Sequence, residues 1–128
     1  MTDTPKIVFI TGDRSINPLL GIEAVGSLVS QIGANALVRG QTITLMTGDN
    51  DGVEWIVREF LASLSVKIET LETPKLEDGT PDWDTRSDTL ENVCDQVFFV
   101  HSDPLASSIG KSLVAHVSED KLVIPLFE

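Results

Sequence analysis

Short apolar runs alternate along the chain with longer segments whose apolar residues recur every three or four positions. KIVFIT (6–11) is a β-branched run stopped by Gly12, the form of a buried strand. Asn17-Pro18 then supplies a helix cap and a first-turn proline. Ile22, Val25, Leu28, Val29 and Ile32 follow at helical spacing, and Gly33 is expected to end that helix. TITLMT (42–47) predicts a second strand, ending at Gly48. Beyond a polar loop, Val53, Ile56, Val57, Phe60, Leu61 and Leu64 form one helical stripe.

VKIETL (66–71) predicts a third, more exposed strand. ETPKLEDGTPDW (72–83), with two prolines and a glycine, reads as a surface loop. A third helix is expected from about Asp84-Thr85, burying Leu90, Val93 and Cys94. QVFFVH (96–101) is the most continuously apolar run and is expected to be central in the sheet. SDPLASS (102–108) leads to a fourth helix with Leu113, Val114 and Val117 inward. KLVIPLF (121–127) predicts a last strand, at an edge because of Pro125.

Strands separated by helices require right-handed crossovers. The expectation is therefore an α/β fold: a single Rossmann-like domain over residues 1–128, with about five mainly parallel strands and helices on both faces. Ligands of such sheets lie outside the carboxyl ends of the strands, where the strand order reverses. TGDRSIN, TGDNDG and HSDPLASSIG all leave those ends, so they are expected to edge one crevice.

Composition narrows the partners. Nine basic residues against twenty acidic ones give a formal net charge of −11, which disfavours DNA or RNA. Small phosphate ligands stay open, because backbone N–H groups at helix starts hold them without net positive charge. No apolar run approaches the roughly 20 residues of a membrane helix, and the N-terminus does not read as a signal peptide. The single Cys94 reads as a packed core thiol, and a cytoplasmic location is the expectation.

LMTGDNDGVEWIVREFL (45–61) invites two chemistries. An EF-hand register with Gly52 sixth places Asp49 third and Asp51 fifth, but Thr47 first and Arg58 twelfth. The leading carboxylate and the bidentate glutamate are both missing. No metal or other cofactor is expected. GxGxxG follows neither of the first two strands, which disfavours a dinucleotide fingerprint. SSIGKS (107–112) ends like a phosphate-binding loop, yet Leu105 stands where the leading glycine is required; a plain helix start with a solvated lysine is the better reading.

What remains is a set of helix N-termini at one sheet edge, attractive to phosphate or carboxylate. Gly12 and Gly48 sit where strands must turn, Gly52 allows close backbone approach, and Ser107, Ser108 and Gly110 offer hydroxyls and amides.

Four segments in this order resemble the SLOG superfamily, the Rossmann-like group that includes the DNA-processing protein DprA, the LOG phosphoribohydrolases and small YspA-like proteins. ITGDR (10–14) resembles its opening strand and "GSR". GDNDGVEWIVREF (48–60) resembles GGAxGxDxxAxxxA, with Gly48, Gly52 and Glu54 on matching places. Trp83 and Arg86 resemble the tryptophan and arginine ahead of the next strand, and SSIGKSLVAHV (107–117) resembles the SxGT helix start. The chain departs at Asp49, which replaces the second glycine, and at Lys111, which replaces threonine. The glutamate-bearing PGGxGTxxE of the phosphoribohydrolases is absent.

The resemblance implies a nucleotide or nucleotide-derived small molecule as ligand. Gly12, Asp13, Arg14, Gly48, Asp49, Asn50, Asp51, Gly52, Arg86, Ser102, Ser108 and Gly110 would line the pocket. Arg14 and Arg86 would hold phosphate, and Asp49 or Glu54 would accept from ribose hydroxyls. On this reading, replacing Arg86 by Ala and Gly48 by Val together removes binding and leaves the fold. Two alternatives stand beside it. One is an N-glycosidic hydrolase using Asp13, Asp49 or Glu54, with His101 on the ligand side. The other is a homo-oligomeric assembly module with a vestigial site.

Overall fold

A computed structural model describes residues 5–64, 66–100 and 107–124. The elements alternate: β1 (Lys6–Gly12), α1 (Pro18–Arg39), β2 (Ile43–Gly48), α2 (Val53–Ser63), β3 (Glu69–Leu71), α3 (Trp83–Val93), β4 (Gln96–Val100), α4 (Ser108–His116) and β5 (Leu122–Val123). The five strands form one sheet in the order β3-β2-β1-β4-β5, every pairing parallel. This is the Rossmann-like α/β domain that the alternation predicts.

Each face of the sheet has its own core. Val8, Ile10, Phe98 and Val100 meet Val25 and Leu28 of α1 and Val53, Val57 and Leu61 of α2. On the other face Phe9, Val97 and Phe99 meet Leu90 of α3 and Ile109 and Leu113 of α4. Alternate residues of one strand thus serve opposite faces, which is why β1 and β4 read as unbroken apolar runs. β1 is the middle strand; β4 is interior beside it, not central as its sequence suggests.

Helix α1 opens as expected: the Asn17 side chain accepts from the Leu19 and Leu20 amides at 3.0 and 3.3 Å. It does not end at Gly33. Ile32 and Ala36 are buried on either side of that residue, and their burial carries the helix on to Gly40. Gly40 adopts the left-handed conformation (φ 62°), and the Gln41 amide donates to the Ala36 carbonyl at 2.8 Å. β3 begins at Glu69 rather than Val66, because the Val66 amide donates to Leu61 O at 2.9 Å and so finishes the end of α2.

Residues 74–82 form a hairpin-like loop that hydrogen-bonds itself. The Asp82 amide donates to Pro74 O and the Leu76 amide to Thr80 O, both at 2.8 Å. Four apolar residues expected inside lie on the surface: Ile22, Leu64, Val93 and Val114. The predicted strand end at His101, Ser102 and the edge proline Pro125 lie outside the described residues.

Candidate functional site

Strand order reverses between β1 and β4, so their carboxyl ends are where a sheet of this kind is expected to hold a ligand. Gly12, the last residue of β1, pairs with Val100, the last of β4. A Cβ on Gly12 would lie 2.5 Å from Val100 O and 2.6 Å from Val53 Cγ2. The strand end is therefore clamped between its neighbour and the start of α2.

The loop after β1 and the start of α2 are tied together. Gly52 has φ 73°, and a Cβ there would fall 2.1 Å from Asp13 O. The Val53 amide donates to that same carbonyl at 3.0 Å. One of the amides exposed at the start of α2 is thus spent on the β1 loop and not held for an anion. Asp13 also accepts from the Ser15 amide through its own carboxylate.

Beneath these loops lies a buried ion pair. Arg86 on α3 and Glu54 on α2 are 1% and 0% exposed, with Arg86 Nη2 2.9 Å from Glu54 Oε2 and Nη1 donating to Oε1 at 3.1 Å. Glu54 also accepts from the Thr11 hydroxyl at 2.5 Å and the Asn50 amide at 3.1 Å. Arg86 donates further to Thr11 and Thr73 at 3.3 and 3.4 Å. Its guanidinium carbon lies 4.6 Å from the Trp83 ring centroid and 5.3 Å from that of Phe9, a cation–π arrangement.

The network reaches the surface through Asp49. Thr73 donates its hydroxyl to Asp49 Oδ1 at 2.6 Å and its amide at 3.2 Å. Partial burial works to raise the Asp49 pKa, but the hydrogen bonds from Thr73, with help from Arg86, hold it below the usual carboxylate value. Gly48 is required by the same cluster, since its Cβ would sit 2.0 Å from Glu54 Oε1 and 2.6 Å from Arg86 Nη1.

The predicted site residues consequently divide. Gly12, Gly48, Gly52, Glu54 and Arg86 form the interior of the edge. Arg14, Asp49, Asp51 and Ser108 face solvent, with Asp13 and Asn50 half-buried above the network. Gly110 is buried, its amide donating to the Ser107 hydroxyl at 2.8 Å in a helix cap. Among the described residues nothing partners the buried Asn50 Nδ2, a costly state for a donor unless something else meets it.

Sequence reading missed Thr11 and Thr73, the hydroxyls that link the ion pair to its loops. A signal existed in the Thr-Gly pair that ends both β1 and β2. Thr47 matches Thr11 in position and is likewise buried, donating to Ile10 O at 2.7 Å.

A cavity of about 210 Å³ lies at the opposite edge of the sheet, between Lys6, Arg39, Gln41 and Gln96, with Ile32 and Phe98 in its wall. It is remote from the loops just described. Among the described residues, no group of three His, Cys, Asp or Glu side chains could hold a metal ion, and no helix is long and apolar enough to cross a membrane. No family model matches the chain, nor does any curated protein or solved structure.

Proposed function

We propose that the chain binds a nucleotide or nucleotide-derived small molecule at the carboxyl edge of its sheet, as a sensor or sequestering protein of the SLOG type. The observation that carries this reading is the reversal of strand order between β1 and β4, with the loops after β1 and β2 at that edge. Asn50 Nδ2 at the same edge, without a hydrogen-bond partner among the described residues, supports it. Arg14 is exposed there and would supply the guanidinium fork to phosphate, while Asp13 and Asp49 would accept from ribose hydroxyls. Arg86 and Glu54 serve as the floor that fixes these loops, not as ligand contacts.

Binding is favoured over N-glycosidic hydrolysis by two of the three candidate carboxylates, Glu54 and Asp49. A hydrolase needs an acid for the leaving group. Both Glu54 oxygens are engaged by Arg86, and Asp49 is held ionised. The assembly-module alternative draws on one fact: the most deeply placed cation of the edge is neutralised internally.

Calorimetric titration with mononucleotides, cyclic nucleotides and ADP-ribose, followed by chromatography of the ligand, tests the proposal. Saturable binding of an intact ligand, weakened about tenfold (roughly 1.4 kcal/mol) by Arg14→Ala, is the expected result. A cleaved product favours the hydrolase, and no heat with any member of the panel favours the assembly module.

A further inference from the structure

Helix α1 is unusual for this chain. Over its 22 residues only Glu23 and Arg39 are ionisable, whereas 23% of the whole sequence is charged, a share that would place about five on it. Its inner side packs on the sheet through Ala24, Val25, Leu28 and Ile32. One flank packs on α2, where Ile56 and Phe60 lie against Gly21 and Gly26. The side remaining carries Leu19, Leu20, Leu37 and Val38, which are 79%, 60%, 83% and 87% exposed.

These four residues form two matched pairs. Leu19 and Leu37, and likewise Leu20 and Val38, are separated by 18 residues. That is five helical turns, so each couple shares a direction at positions about 27 Å apart. Between the two ends, the exposed residues Ser27, Ser30 and Ala34 are small enough for another backbone to approach.

We propose that this face of α1 docks on the same face of a second copy of the chain, antiparallel, about a two-fold axis near Ser27–Ser30. An isologous contact requires a patch complementary to itself. In this register Leu20 meets the partner's Leu37, Leu19 meets the partner's Val38, and both meetings occur twice. Ser27 meets the partner's Ser30 at the axis.

Charge selects the face and the direction of pairing. Two molecules of net charge −11 repel over most of their surfaces. On this face the single acid, Glu23, lies opposite the partner's Ala34, whereas a parallel pairing would set Glu23 against its own copy. Burying the four apolar residues on both copies removes on the order of 1,000 Å² from water, which reaches the lower bound for a specific interface. The face is built from α1 alone, with Leu19 and Leu20 in its first turn just beyond the β1 loop.

Sedimentation equilibrium on the full chain tests the proposal. A reversible dimer is expected, with Leu37→Glu weakening association at least about tenfold while the far-ultraviolet dichroism is unchanged. A monomer throughout the micromolar range overturns it, as does a dimer indifferent to Leu37→Glu. Cysteine pairing checks the register independently. Under mild oxidation, Leu20→Cys mixed with Leu37→Cys is expected to give a covalent dimer, and neither variant alone to do so. Cross-linking of Leu20→Cys with itself would mean parallel pairing and overturn the arrangement.

Discussion

Arg86 Nη2 lies 2.9 Å from Glu54 Oε2, with both side chains shut away from solvent. The pair joins α3 on one face of the sheet to α2 on the other, across the ends of β1 and β2. Removing one member of such a pair leaves an uncompensated buried charge, which costs about 3–5 kcal/mol. Glu54→Gln is therefore expected to lower the stability measured by urea unfolding by that amount. Replacing both partners by methionine should restore most of the loss. From sequence, Arg86→Ala with Gly48→Val reads as a pocket knock-out that spares the fold. In the structure both positions belong to the fold itself.

The glycines separate into two kinds. Gly48→Ala drives a methyl into Glu54 and Arg86, and Gly52→Ala combines a positive φ with backbone atoms 2.1–2.6 Å away. Each is expected to destabilise by about 2 kcal/mol or more. Gly33, inside α1, is the opposite case: among the described residues nothing lies within 4 Å of where a Cβ would sit. Gly33→Ala should stabilise by about 1 kcal/mol in the same unfolding measurement.

Thr73 links acidity to stability. The Asp49 pKa is depressed in the fold, so its contribution is fully present above the unfolded carboxylate value and is lost as pH falls through the folded one. Thr73→Val removes the hydroxyl that donates to Asp49. The stability difference between wild type and Thr73→Val should therefore be largest near neutral pH and shrink below about pH 4. The Thr73–Arg86 contact leaves a residue of difference that does not titrate. Urea midpoints measured from neutral to strongly acidic pH check this.

Cys94 is buried against Phe9, Val97 and Leu113, and burial, reinforced by Asp95, pushes its thiol up to about 11. A thiol reagent at neutral pH is expected to label it far more slowly in the native protein than in urea. Equal rates would mean that the core around α3 and α4 opens readily.

The sheet was legible because β1 and β4 are apolar on both faces and each element ends in a recognisable signal, such as Asn17-Pro18. Helix edges were less so. Gly33 is a local stop signal overridden by the burial of Ile32 and Ala36, which depends on contacts distant in sequence. Val93 and Val114 share the helical period of the core but sit just off the buried direction. At the candidate site, it was the family resemblance that put Gly48, Glu54 and Arg86 together at one sheet edge. It could not show that the arginine turns inward, because that depends on Phe9 and Thr11 of β1, Thr73 of the loop after β3 and Trp83 of α3 converging from three different segments.

A nucleotide-derived ligand is proposed to bind where the strand order reverses. Mapping backbone amide shifts in a ¹⁵N-labelled sample titrated with the tightest ligand of the panel tests this most directly. Shifts concentrated in residues 12–15, 49–52 and 107–111 are expected. Shifts centred on the opposite cavity, at Lys6, Arg39, Gln41 and Gln96, or no shifts with any nucleotide, would contradict the proposal.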